Sequence, residues 1–337
     1  MPAAYLAPTM GPRKGGPVRS FGKLLPILCF ALGLVAFGEQ VIKGDFHEHA
    51  LAILGKNTWA VAHSRTVEIW SLDDLEAPKR ALKGAGIVWS LAASPDEKYL
   101  AAGDQDGVVT VWDLASGEVS FSLRGHRYGI WALAFSPDGK LLASGSHDSD
   151  IRLWDMATGM EVGILEGHES WVRCLSFSPD GMLLASSSCD GTVRIWDPET
   201  LRQLVSIRAG ADGIYSLSFS PDGKYLAWGN YEGRIKLYQV GDWEEVWASG
   251  PGQGTAIRAT AFSPDGRFIA SGEYPKKVRL WDAKSGEELA ILGAHQKPVW
   301  GIAFFPDGER LVTTSEDGTV RIWEVPENLL SVLPLGW

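Results

Sequence analysis

The chain has 337 residues, 45% of them hydrophobic and 21% charged, with 15 Trp and 39 Gly. That length accommodates one large all-β domain or two ordinary ones, with a core that needs no staples, and the composition excludes wholesale disorder. The formal charge of −10 divides into +4 over residues 1–38 and −14 over the rest, a body that repels phosphate backbones and argues against nucleic acid as a partner.

In chain order, the first feature is an apolar run from Leu24 to Phe37, broken by one Pro and one Gly and preceded by Arg19 and Lys23. With the small residues Ala36 and Gly38 at its end, it has the layout of a signal peptide. At about 15 residues it is shorter than the roughly 20 that a spanning helix needs. Residues 1–38 are therefore expected to be a signal peptide, an anchor or a packed arm. Membrane association would run through residues 20–42, and export or anchoring is favoured over a cytoplasmic location. Cys29, Cys174 and Cys189 form no disulfide framework and read as free thiols.

From residue 39 onward a repeat governs the sequence. A branched residue followed by Trp or Tyr recurs at Trp70, Trp112, Trp154, Trp196, Tyr238, Trp281 and Trp323, with spacings of 42, 42, 42, 42, 43 and 42. A second marker runs in phase: Ser94-Pro95-Asp96, then Ser136-Pro137-Asp138-Gly139 and its counterparts at 178–181, 220–223 and 263–266, and Phe305-Pro306-Asp307-Gly308. Pro sets φ and Gly tolerates a positive φ, so this marker builds a tight hairpin turn. Around it the pattern alternates as strands do, Ile130 to Phe135, Leu141 to Ser144, Ile151 to Trp154 and Glu161 to Leu165 in one unit. Seven units of four short antiparallel strands predict a seven-bladed β-propeller over residues 39–337.

These units resemble the WD-repeat family, with Gly125-His126, Gly167-His168 and Ala294-His295 near the start and Trp112-Asp113, Trp154-Asp155, Trp196-Asp197 and Trp281-Asp282 near the end. The resemblance implies a single seven-bladed WD-repeat propeller, a non-catalytic platform for other proteins, with no cofactor. The first unit departs from it, with Leu54-Gly55-Lys56-Asn57 in place of the turn, and the fifth has Tyr238-Gln239. Closing the ring needs an outer strand for the last blade. The distance from Trp323 favours Leu329 to Leu333, although Phe37 to Lys43 also falls in register.

Three units place His, Ser or Thr, Asp and Trp at matched offsets: His126, Ser144, Asp148 and Trp154; His168, Ser186, Asp190 and Trp196; His295, Thr313, Asp317 and Trp323. These are also the side chains of a nucleophilic triad. Recurrence in three blades favours a buried hydrogen-bond chain over a reaction centre, and the fifth blade, with Trp228, Glu232 and Tyr238, is expected to be looser. No catalytic residue and no metal site is assigned. His47, His49 and His63 cluster without a carboxylate or Cys at ligand spacing, and the run 250–254 lacks the helix that a phosphate loop needs.

Function is expected where sister positions vary. The residue opening each innermost strand is Trp89, Trp131, Arg173, Tyr215, Arg258 or Trp300, with His47 in the first blade and Trp171 two residues before Arg173. The residue before each blade's turn acid gives a second ring: Gln105, His147, Cys189, Tyr231, Tyr274 and Glu316. By contrast Phe135, Phe177, Phe219, Phe262 and Phe304 are one residue type, as packing between blades requires. Aromatic residues and Arg dominate binding hot spots, so this rim is read as the partner-binding surface of a scaffold within a larger complex. Glu232, Glu273 and Glu316 beside the aromatics suit a ligand carrying Lys or Arg, whereas Arg173 and Arg258 suit an acidic or phosphorylated one. The alternative function is a propeller enzyme acting on a small molecule at the channel mouth. A ubiquitin-ligase receptor is disfavoured, since Ala115, Ala157, Glu199 and Lys284 stand where that group carries Arg.

Overall fold

The computed structural model describes residues 39–43, 50–210, 213–249 and 256–331. Seven four-stranded antiparallel sheets follow one another along the chain, spanning 51–82, 88–124, 130–165, 172–208, 214–248 and 257–294 for blades 1 to 6. Blade 7 consists of 299–324 plus one strand from the other end of the described chain. The inner strands contact their neighbours in a closed circle, the first touching both the second and the seventh. The architecture is an all-β, seven-bladed propeller, with one short helix, Glu327–Leu330, among the described residues.

Local chemistry explains why each blade turns where it does. In the Ser-Pro-Asp-Gly turn after the inner strand of blade 3, Ser136 Oγ donates to Asp138 Oδ1 at 2.7 Å and accepts from the Leu141 N–H at 2.9 Å. Gly139 sits at φ 70°, in the left-handed region that glycine enters without a Cβ clash. Blade 2 has Glu97 at that position with φ 58°, so one side chain there tolerates a conformation the other blades give to glycine. Between blades, the core is built from shared clusters that join Ala101 and Val109 of blade 2 to Ile130 and Leu142 of blade 3, and Ile151 and Leu153 of blade 3 to Val172 and Trp196 of blade 4. Phe135, Phe177, Phe219 and Phe304 are buried, and Phe262 is partly so.

The closing strand is Glu39–Lys43, which corrects the expectation of Leu329 to Leu333. Glu39 pairs with Trp323 and Lys43 with Thr319, an antiparallel ladder along Thr319 to Trp323 of the strand Thr319–Glu324. The C-terminal candidate leaves the sheet instead. Pro326 offers no N–H to a ladder, and Leu329 N–H donates to its carbonyl at 2.9 Å, opening the turn Glu327–Leu330. Residues 332 and 333 lie outside the described residues. Glu39 to Ile42 belong to a blade, so the membrane segment expected over residues 20–42 does not include them. The residues before Glu39, Cys29 included, lie outside the described part. No helix among the described residues is long and apolar enough to cross a membrane.

Ile42 is the one buried side chain of that strand, 6% exposed, and packs with Trp59, Val312 and Val320. Ile42→Asp removes this contact and buries a carboxylate, so urea unfolding should show a loss of about 3 kcal/mol or more. Leu330→Asp in the C-terminal turn should cost less; equal losses would mean that both segments carry the closure.

Candidate functional site

The rim side chains owe their position to a recurring backbone irregularity. In blades 2 to 7 the pairing of inner and second strands skips one residue, between Val88 and Ser90, Ile130 and Ala132, Val172 and Cys174, Ile214 and Ser216, Ile257 and Ala259, and Val299 and Gly301. The skipped residues are Trp89, Trp131, Arg173, Tyr215, Arg258 and Trp300. A β-bulge frees one residue from the ladder and re-aims its side chain. All six line one cavity of about 190 Å³ at the centre of the propeller, together with Leu51 from the first blade and Cys174. Blade 1 pairs Leu51 to Ile53 without a bulge, and His47 lies outside the described residues.

Close approach of neighbouring blades supports the bulges. A Cβ on Gly145 would lie 2.5 Å from Val172 Cγ1, the side chain just before Arg173. Gly103 and Gly229 meet Ile130 and Ile257 in the same way.

The second ring is tied to the first through the backbone. The N–H groups of Gln105, His147, Cys189, Tyr274 and Glu316 donate to the carbonyls of Ile87, Gly129, Trp171, Ala256 and Pro298 at 2.9, 3.0, 3.0, 2.8 and 3.1 Å. Each acceptor lies two residues before a bulged residue, so both rings share the face opposite the Ser-Pro-Asp-Gly turns. On it, Trp89 and Trp131 lie 4.7 Å apart, His147 stacks on Trp131 at 5.2 Å, and Trp171 stacks on His147 at 4.0 Å. Trp171 is 46% exposed at the top of this pile, and Tyr231 and Tyr274 are also exposed. Burial and the nearby Arg173 hold His147 down at about 4, so it stacks as a neutral ring near pH 7. The ring continues with Arg173 over Trp131 at 4.0 Å and Arg258 over Tyr215 and Trp300 at 4.0 and 4.6 Å.

The three acids offered as partners for a basic ligand are already engaged. Glu273 is buried and lies 2.7 Å from Arg279, Glu316 lies 3.6 Å from Lys297, and Glu232 lies 4.0 Å from Arg234. The free thiols Cys174 and Cys189 are both pushed up by burial and stay neutral near pH 7.

The three polar sets form buried chains. Trp196 Nε1–H donates to Ser186 Oγ at 2.8 Å, Ser186 Oγ lies 2.7 Å from His168 Nε2, and His168 Nδ1 lies 2.8 Å from Asp190 Oδ2. His126 and His295 repeat the arrangement, with Nε2 at 2.8 Å from Ser144 Oγ and Thr313 Oγ1. Neutral imidazole satisfies every member: tryptophan donates to hydroxyl, hydroxyl to Nε2, and Nδ1–H to carboxylate. The three His side chains are 0% exposed. Ser144, Ser186 and Thr313 are each occupied by an indole donor and have no access to a substrate. In the fifth blade Trp228 stacks on Tyr238 at 4.1 Å, and Tyr238 donates to Glu245 at 3.0 Å, so aromatic packing replaces the chain there. Among the described residues no group of three or more His, Cys, Asp or Glu is placed to share a metal; His47 and His49 lie outside them.

With this geometry in view, the comparisons with known proteins decide the family. A family model described as the IFT122 first beta-propeller matches residues 87–254, one for the anaphase-promoting complex subunit 4 WD40 domain matches 217–304, and the WD domain, G-beta repeat, matches 286–324. The chain belongs to the WD-repeat β-propeller family. Among curated proteins, human and mouse striatin-4 are each 53% identical over 34 residues, covering 10% of this chain and 4% of theirs. WD-repeat propellers are typically protein-interaction scaffolds, generally without catalysis.

The polar chains set a pH dependence. Burial opposes ionisation of Asp148, yet bonds from His126 and the Arg127 N–H hold it down at about 2, and Asp190 and Asp317 are lowered likewise. Burial lowers His168 and His295 against the pull of their Asp partners. Both kinds of group have folded values below their unfolded ones. The stability they contribute is complete above about pH 6.5, declines as the histidines protonate, and falls further below about pH 4 as the carboxylates do. Urea midpoints should therefore be lower at pH 5 than at pH 7. Ser186→Ala, which strands the Trp196 and His168 nitrogens, should cost about 2 kcal/mol; a loss near zero would contradict the chain.

Proposed function

We propose that this WD-repeat propeller is a non-catalytic interaction scaffold, a subunit of a larger complex, that receives a peptide or loop of a partner protein on the channel-mouth face. The observation that carries this reading is the convergence of six bulged residues from six blades, of three different kinds, on one cavity beneath an exposed aromatic pile. A structural filler position repeats one residue type, as the inner-strand phenylalanines do. Trp, Tyr and Arg clustered around a partly desolvated pocket are the side chains that contribute most to protein association. The Ser-His-Asp sets that resemble a catalytic triad are spent inside the blades, which supports a binding role over a hydrolytic one. Residues 1–38 are proposed to be a targeting or anchoring segment that sets where the propeller works.

An affinity pull-down from the native organism, read by mass spectrometry, tests the reading. Trp171→Ala, and separately Trp89/Trp131/Trp300→Ala checked for folding by circular dichroism, should lose partners that the wild type retains. If both variants fold and keep every partner, the rim is not the binding site.

A further inference from the structure

Among the described residues, two cations at the channel mouth have no carboxylate counter-ion. Arg173 and Arg258 flank one ring, with guanidinium carbons 5.0 and 4.0 Å from the Tyr215 centroid, while Trp131 and Trp300 supply further ring contacts. Stacking covers guanidinium faces but leaves the in-plane N–H donors to find acceptors. Several partly buried cations elsewhere take carboxylates: Arg279 takes Glu273, Lys236 takes Glu245 and Arg321 takes Glu39. Among the described residues no carboxylate pairs with Arg173 or Arg258, and the buried Arg258 Nε has no hydrogen-bond partner. Burial lowers the Arg173 value, and Arg258 adds repulsion. Guanidinium is effectively never deprotonated in proteins. The thiols beside them are neutral, and the nearby acids are paired with other bases.

Two like charges held close together in a partly desolvated cavity, within an acidic body, are relieved by an anion brought from outside. We propose that the cavity takes an anionic group of an extended protein segment, a carboxylate or phosphate that meets the N–H donors of Arg173 and Arg258 from the cavity side of Tyr215. Residues next to that anion would lie on Trp131, Trp171 and Trp300. This inference rests on the docking face proposed above. Planar guanidinium groups match carboxylate and phosphate oxygens two at a time, and a cavity of about 190 Å³ admits one side-chain head but no folded element.

Random-peptide display on the full chain tests it, with affinities then measured for the wild type, Trp171→Ala, Arg173→Met, Arg258→Met and the charge-retaining pair Arg173→Lys and Arg258→Lys. Selected peptides should share an Asp or Glu. Each Met variant should bind them roughly tenfold or more weakly, with partial recovery in the Lys variants. Replacing the shared acid with phosphoserine should preserve binding, and inorganic phosphate should compete poorly. Peptides that lack an acid, need Trp171 and survive both Met variants would overturn the anion site but keep the docking face. Peptides indifferent to Trp171 and to both arginines would overturn the docking face itself. Inorganic phosphate binding as tightly as any peptide, and lost in the Met variants, would overturn the protein-segment occupant in favour of a free anion.

Discussion

Closure of the ring by Glu39–Lys43 against Thr319–Glu324 is the constraint on which the rest depends. A propeller blade protects its edges only when each sheet packs between two others, and an unclosed seventh blade would leave a bare edge beside the first. The cavity inherits the same dependence. Its lining comes from all seven inner strands, so a gap at the seam between the last blade and Leu51 would open the channel sideways. Stability and site are thus coupled through five residues that lie far from the rest of their blade in sequence.

Within the closed ring, two devices divide the polar residues between structure and function. The buried Trp–Ser–His–Asp chains fix the loops on the same end of the blade as the bulged residues, because His126, His168 and His295 precede inner strands while Asp148, Asp190 and Asp317 lie in the turns that follow the second strands. The inner-strand bulges then release one side chain per blade from the repeat. What the first device holds constant, the second leaves variable. A repeat protein can in this way keep a uniform frame and still present Trp, Tyr and Arg in an order of its own around the channel.

Much of the fold was legible in the sequence, and for identifiable reasons. The turn residues and the Trp period impose themselves locally, so strands such as Ile130–Phe135 and Glu161–Leu165 could be read from pattern alone. The closing strand was misjudged because chain distance from Trp323 was weighed and side-chain pairing was not. Arg152 with Glu161, Arg194 with Gln203, Lys236 with Glu245 and Arg279 with Glu288 pair at a separation of nine residues from third strand to outer strand. Arg321 finds Leu330 at that offset, and Glu39 of the closing strand supplies the acid instead, 2.5 Å away. The rim positions were visible as in-phase variation, but not the bulge that aims them, nor the pairing that removes Glu232, Glu273 and Glu316 as free acids. Those depend on cross-blade distances that no local pattern encodes. The stacking of Trp171 on His147 was likewise invisible, since it joins neighbouring blades.

The claim that the channel-mouth face is where a partner docks is tested most directly by site-specific photo-crosslinking in native extract. A photoreactive tryptophan analogue that keeps the indole would replace exposed Trp171 on that face, and a photoreactive methionine analogue would replace exposed Met182 beside the Ser-Pro-Asp-Gly turns on the opposite face. The account predicts a discrete crosslinked partner from position 171 and none of that mass from position 182. The same partner captured from 182 and not from 171 would contradict it.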